Sequence, residues 1–230
     1  MRSRRAPALA VLLLLAAPEV TEAATCEERV AFLSREMARA RRPARVWSWA
    51  WGIGYTVVGA AQLGIAPFLD DEGRQKDFYV GGIRTLVGVL PFIVMPLKIM
   101  REEPRHRERV ASGGDPCAIA DEGARGLERA AKSERRGKSV LKHSMVVLVN
   151  VAAGLVLGLG FDRWTQGAIT TGSGILIGEI MIFTQPTRSV DAWRRYEAGQ
   201  LGAEAAALDW TITPTVLAGG GAGVSFSMSF

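Results

Sequence analysis

The chain reads as two imperfect copies of one membrane hairpin, and this duplication restricts the possible folds more than any other feature. The first copy runs from Cys26 through Arg41-Arg42, Gly59, Gly82 and Gly88 to Pro96. The second runs from Cys117 through Arg135-Arg136, Gly154, Gly172 and Gly178 to Pro186. Each has the same order: cysteine, charged helical stretch, basic pair, apolar span, short loop, second apolar span, proline. The Gly88-to-Pro96 spacing equals the Gly178-to-Pro186 spacing. Side-chain identity between the copies is low, so what repeats is the architecture. A repeat of this kind means one supersecondary unit used twice.

The apolar residues fall in four blocks, 46–69, 79–100, 141–161 and 165–185, with charge between them. Each holds about 20 residues, enough to cross roughly 30 Å of hydrocarbon. The first block opens with Trp47, Trp49, Trp51 and Tyr55, which fit an aromatic belt at a bilayer interface. Pro91 and Pro96 in the second block would break a soluble helix but are tolerated in membrane helices. Residues 26–44 and 118–136 are charged and helix-like, and Arg41-Arg42-Pro43 is expected to end the first of them at the membrane edge.

The N-terminus has the parts of an export signal. Arg2, Arg4 and Arg5 precede an apolar run centred on Leu12 to Leu15, and Thr21-Glu22-Ala23 offers small residues for cleavage. Such a run is too short for an ordinary span. Export explains the two cysteines. Cys26 and Cys117 open equivalent positions with two spans between them, so they face the same side, where an oxidising compartment favours a disulfide. His106 and His143 do not stand at ligand spacing with either cysteine, so no metal or other cofactor is expected. Gly137-Lys138-Ser139 resembles the end of a phosphate-binding loop. Lys132 stands where that loop needs glycine, and a nucleotide site is excluded.

Polar groups inside the spans are costly and mark functional candidates. They are Arg84 and Glu179, with Gln62 and Asn150 beside them. In the register of the duplication Glu179 matches Val89, about 7.5 Å along the helix from Arg84, so an ion pair between the two is expected. Ala60 and Gly64, Gly154 and Gly158, and Gly174 and Gly178 are each four apart. Small residues at that spacing let membrane helices approach closely. The end of the chain changes character. Val224, Phe226, Met228 and Phe230 alternate with serines after a triple-glycine turn, the pattern of a strand. The terminal phenylalanine resembles the closing strand of outer-membrane β-barrels, but one hairpin is far short of the eight strands a small barrel needs.

These observations define a mainly α integral membrane protein: two repeated helical hairpins with four spans, polar capping helices and a C-terminal β-hairpin. The expected divisions are a signal peptide at 1–23, the first repeat at 24–100, a connector at 101–116, the second repeat at 117–186, and a helical segment with the hairpin at 187–230. No hydrolase or zinc-protease motif occurs, so a non-enzymatic bacterial envelope protein with a structural or assembly role is expected. The alternative is a small oligomeric channel or transporter using Arg84 and Glu179. The expected partners are the lipid bilayer and further copies of the chain, not nucleic acid. The signal and cysteines place the basic face outside the cytoplasm, whereas the positive-inside rule assigns it to the cytoplasm. The signal and cysteines carry more weight, and the inner membrane is favoured over the outer.

Overall fold

The computed structural model describes residues 24–202 and the backbone of residues 209–216 and 222–229. The expected signal peptide and the side chains of the C-terminal alternation lie outside the described residues.

Helix α1 (Cys26–Ile65) is 40 residues long. Thr25 starts it with a capping box: its hydroxyl accepts from the Glu28 amide, and the Glu28 carboxylate accepts from the Thr25 amide at 2.8 Å. The expected stop at Arg41-Arg42-Pro43 is corrected here, because the helix runs straight through Pro43. Proline removes one amide donor and crowds the preceding turn. Ala40 and Ala44, both buried and one turn apart on either side of Pro43, keep the packed face continuous across that defect.

A short turn leads to α2 (Glu72–Val87), capped by the Asp71 carboxylate on the Arg74 amide. The sequence predicts one span over 79–100, and the structure divides it. Pro91 has no N–H for the Val87 carbonyl, and α2 ends at Val87. A short α3 (Leu90–Val94) follows and stops at Met95, which takes φ −130° and ψ 56° before Pro96. A following proline disfavours the helical conformation at this position, so the helix stops there. Helix α4 (Ile99–Ser112) then leads away, and α5 (Pro116–Gly137) returns with Asp115 capping its first amides. Helices α6 (Val140–Phe161) and α7 (Trp164–Phe183) form a second hairpin through a tight turn at Asp162, whose φ is 55°. Helix α8 (Arg188–Glu197) closes the helical part. Beyond it the backbone strands β1 (Asp209–Val216) and β2 (Ala222–Ser229) pair antiparallel, with Ile212 opposite Phe226.

Three helical segments are long and apolar enough to cross a membrane: Glu72–Ser112, Val140–Phe161 and Trp164–Glu197. The second half of α1 is not among them. Its tryptophans, glycines, Ser48, Tyr55 and Gln62 dilute the hydropathy of an otherwise helical stretch. The apolar helices expose large side chains outward, with Leu148, Leu159, Leu176 and Phe183 more than half exposed. Such surface is stable only against lipid or protein.

The polar helices do more than cap. The first half of α1 packs with α4, α5 and α8 around a core of Phe32, Leu33, Met37, Ala40, Leu97, Ile99, Ala120, Leu127 and Ala130. Cys26 and Cys117 are bonded, joining the capped N-termini of α1 and α5 across 91 residues with Cα atoms 4.9 Å apart. The disulfide marks the far end of this domain. From Cys26 to Arg45 the helix rises about 28 Å, which is the domain's height above the apolar layer.

Candidate functional site

Antiparallel α6 and α7 pair residues equidistant from their turn. Gly154 faces Gly167 so closely that a Cβ on Gly167 would lie 2.6 Å from the Gly154 carbonyl oxygen. Gly158 lies against the Trp164 ring and Gly178 against Val146. Gly154, Gly158, Gly174 and Gly178 all lie at close contacts inside this hairpin, as small residues on apolar helices permit. Ala60 and Gly64 behave differently. Both are exposed, and nothing approaches Gly64 within 4 Å.

Close approach at Gly174 creates a polar site between the hairpins. A side chain there would overlap the Asn150 carboxamide and the Arg84 guanidinium. Arg84 reaches from α2 into this space, and its Nη1 donates to Asn150 Oδ1 and to the Thr170 carbonyl, each at 2.9 Å. Asn150 is held in turn, because its Nδ2 donates to the Val146 carbonyl at 2.7 Å. Its own carbonyl accepts from Thr171 Oγ1 at 3.1 Å. Arg84 thus ties α2 to both α6 and α7, with two neutral oxygens as acceptors. Gln62 belongs to a separate contact in the first hairpin, where Thr85 Oγ1 donates to the Gly81 carbonyl and lies 3.5 Å from Gln62 Oε1.

The expected Arg84–Glu179 ion pair is corrected by this geometry. Arg84 meets α7 at Thr170, nine residues before Glu179, which is about 13 Å along the axis. Glu179 pairs with His143 instead, Oε2 to Nδ1 at 2.6 Å, beside the Phe183 ring. The sequence held a signal for this partner. His143 and Glu179 each lie eighteen residues from Phe161, at the hairpin turn. The aromatic belt is also partly structural. Trp47 and Trp51 donate from Nε1 to Thr184 Oγ1 at 3.3 and 3.2 Å, joining α1 to the end of α7, while Trp49 stays exposed. On the opposite face Arg163 clamps Asp77 through two hydrogen bonds of 2.8 and 2.6 Å.

The polar domain buries carboxylates that the sequence does not single out. Glu102 takes a bidentate contact from Arg129 at 3.0 and 2.7 Å. Glu103 pairs with Arg41 at 3.0 Å, and Glu36 with Arg39 and Arg195. Glu134 differs, since Ser189 and Val190 at the start of α8 hold it through two backbone amides and the Ser189 hydroxyl. Burial pushes its carboxyl up to about 7, against the pull of those hydrogen bonds. A cavity of about 290 Å³ lies between α4 and α5, lined by Glu102, Arg105, His106, Arg109, Glu122 and Arg129. Arg109 and Glu122 bridge it at 3.2 Å. His106 is 3.0 Å from Ser34 Oγ, but the ring is buried and packed over Gly123. That is the setting of a satisfied core histidine. Among the described residues no three His, Cys, Asp or Glu side chains group as metal ligands.

Comparison with known protein families, with curated proteins and with solved structures finds no match.

Proposed function

We propose that this chain is a cell-envelope membrane protein that works by assembling with further copies of itself. In this reading residues 46–65 of α1 form a fourth crossing, so that two duplicated hairpins stand side by side in the bilayer. The cleaved signal and the disulfide direct the polar domain to the non-cytoplasmic side of the inner membrane. The C-terminal hairpin adds an edge for pairing or anchoring.

One observation carries the assembly reading. Gly52, Thr56, Ala60 and Gly64 recur every four residues along α1, and so share one helix face. Thr56, Ala60 and Gly64 are exposed, and the Thr56 hydroxyl is already spent on the Gly52 carbonyl at 2.7 Å. The face is small, smooth and free of unsatisfied polar groups, which suits close helix contact in lipid. The remaining small-residue faces are used within the second hairpin, whereas this one points outward. The test is native mass spectrometry of the full chain in mild detergent, comparing the parent with Ala60→Leu and Gly64→Leu. Assembly predicts an oligomeric parent and monomeric variants of unchanged melting temperature. A monomeric parent, or variants that keep the parent's state, refutes it.

A second reading rests on Arg84. A guanidinium at membrane depth with neutral acceptors suits a path for anions between the hairpins. Chloride flux into liposomes, abolished by Arg84→Met, would support it. Flux equal to that of empty liposomes would end it.

A further inference from the structure

Several cations of the polar domain are matched by acids, whereas Arg105 and Arg125 are exposed without an ion pair among the described residues. Arg29 pairs with Asp121, Arg109 with Glu122, Arg129 with Glu102 and Lys132 with Glu128. Near the apolar layer Arg41 is matched by Glu103, and six others are not. Arg42, Arg45, Lys98, Arg101, Arg135 and Arg136 are exposed, and no carboxylate lies within ion-pair distance of any of them among the described residues. One sequence adjacency and two contacts fix their level. Arg45 directly precedes the apolar half of α1. The Lys98 amide donates to Ser133 Oγ at 3.3 Å, bringing the end of α5 to the start of α4. Lys138, one residue beyond α5, donates from Nζ to the Phe183 carbonyl at the end of α7 at 3.2 Å. The carboxylates at this level are withdrawn: Glu134 is buried under α8, and Glu179 is engaged by His143.

We infer that these six side chains form a belt that binds the phosphate headgroups of anionic phospholipids in the leaflet beneath the polar domain. The inference rests on the membrane reading above and adds to it the class of lipid and the residues that select it. Exposed cations without acid partners hold their charge in water at no gain to folding. A row of them where four helices enter the bilayer meets headgroup phosphates at hydrogen-bonding range. Arginine offers a fork that binds phosphate oxygens in pairs, and five of the six are arginines. Basic residues next to a membrane span are attracted to anionic lipid over about one Debye length. The matched Arg29, three residues from the disulfide and about 24 Å up the helix from Arg45, is beyond that reach.

The experiment uses the full chain in mild detergent, titrated with phosphatidylglycerol or phosphatidylcholine of identical acyl chains, with bound lipid counted by native mass spectrometry. Inorganic phosphate is run in parallel to separate a lipid site from a free-anion site. The parent should hold phosphatidylglycerol at least ten-fold more tightly than phosphatidylcholine, and the preference should shrink with salt. Arg135→Ser with Arg136→Ser should reduce it several-fold, whereas Arg29→Ser with Arg109→Ser should not. Arg45→Gln with Arg101→Gln serves as a second belt variant should the first fail to keep the parent's melting temperature. Equal binding of the two lipids overturns the inference. So does a preference that survives both belt variants, or displacement by millimolar inorganic phosphate.

Discussion

Glu134→Gln isolates a carboxylate that the domain buries beside a helix start. The Glu134 side chain is 1% exposed. Its acceptor bonds come from the Ser189 amide at 2.9 Å, the Val190 amide at 3.2 Å and the Ser189 hydroxyl at 2.6 Å. Burial raises its pKa from 4.5 to about 7, and Asp191 adds to the rise. Between those two values the folded chain binds more protons than the unfolded one, so stability falls as pH rises. Below pH 4.5 this group costs nothing. Above pH 7 the cost is complete, at about 3 kcal/mol for a shift of this size. Glutamine keeps the shape, accepts from the two amides through Oε1 and donates to the Ser189 hydroxyl through Nε2. It carries no charge at any of these pH values. Urea unfolding of the polar domain in the detergent-solubilised chain, followed by circular dichroism from pH 4.5 to 8, reads the difference. The variant should match the parent near pH 4.5 and exceed it by up to about 3 kcal/mol at pH 8. A parent-minus-variant difference that stays flat, or grows in the parent's favour as pH rises, would refute the reasoning. It would mean that the two amides at the start of α8 outweigh desolvation.

Reducing the Cys26–Cys117 bond should destabilise the polar domain by roughly 4–5 kcal/mol on the chain-entropy account of a closed loop this long, read as a lower melting temperature with dithiothreitol. Cys26→Ser should reproduce that shift and abolish the response to reductant. A double-mutant cycle on Arg84→Met and Asn150→Leu should give a coupling of roughly 0.6–1.7 kcal/mol, the range of hydrogen bonds within membranes. The cycle on Arg84→Met and Glu179→Gln should be additive. Gly174→Leu should open the contact between the hairpins and release Arg84, seen as faster amide exchange in α2 without loss of the disulfide.

What the sequence made legible was what chain-local chemistry decides. The disulfide followed from compartment and topology, and the polar helices from their spacing. The apolar stretches over 141–161 and 165–185 became α6 and α7 nearly residue for residue, because nothing in them interrupts the helical period. The second block failed at Pro91 and Pro96, where missing amide donors cut it into α2, α3 and α4. Tolerance of proline in a membrane was read as continuity, but two prolines five residues apart leave successive carbonyls without partners. The opposite error fell at Pro43, where tertiary packing of Ala40 and Ala44 overrides a local stop. Arg84 and Glu179 each make polar contacts between helices. Their partners were missed because the register was taken from the duplication, which compares α2 with α7. The contacts are set by the antiparallel hairpin, which pairs residues equidistant from its turn. The buried acids Glu36, Glu102, Glu103 and Glu134 leave no mark in sequence. Their burial comes from helices far apart in the chain, and alternating charge on a helix reads as solvated surface until a second helix covers it.

The same covalent and helical continuity that makes the domain legible also couples it to the membrane. Helix α1 is one rod: its first half lies in the core of the polar domain and its second half against α2. Rotation of the second half therefore turns the first. At the top that motion is resisted by the disulfide to α5 and by Arg195 on Glu36 from α8. At the bottom it is resisted indirectly, through Arg163 on Asp77, which fixes α2 to the turn between α6 and α7. Between the two clamps the hairpins meet through Arg84, whose two acceptors are neutral. Neutral acceptors let the guanidinium shift by one carbonyl without stranding a buried carboxylate, the change that makes breaking a buried ion pair so costly. The joint between hairpins is thus softer than its ends. A neighbouring copy seated on the Gly52-to-Gly64 face would press on the rod where it is least constrained, at the height of Arg84 rather than at either clamp.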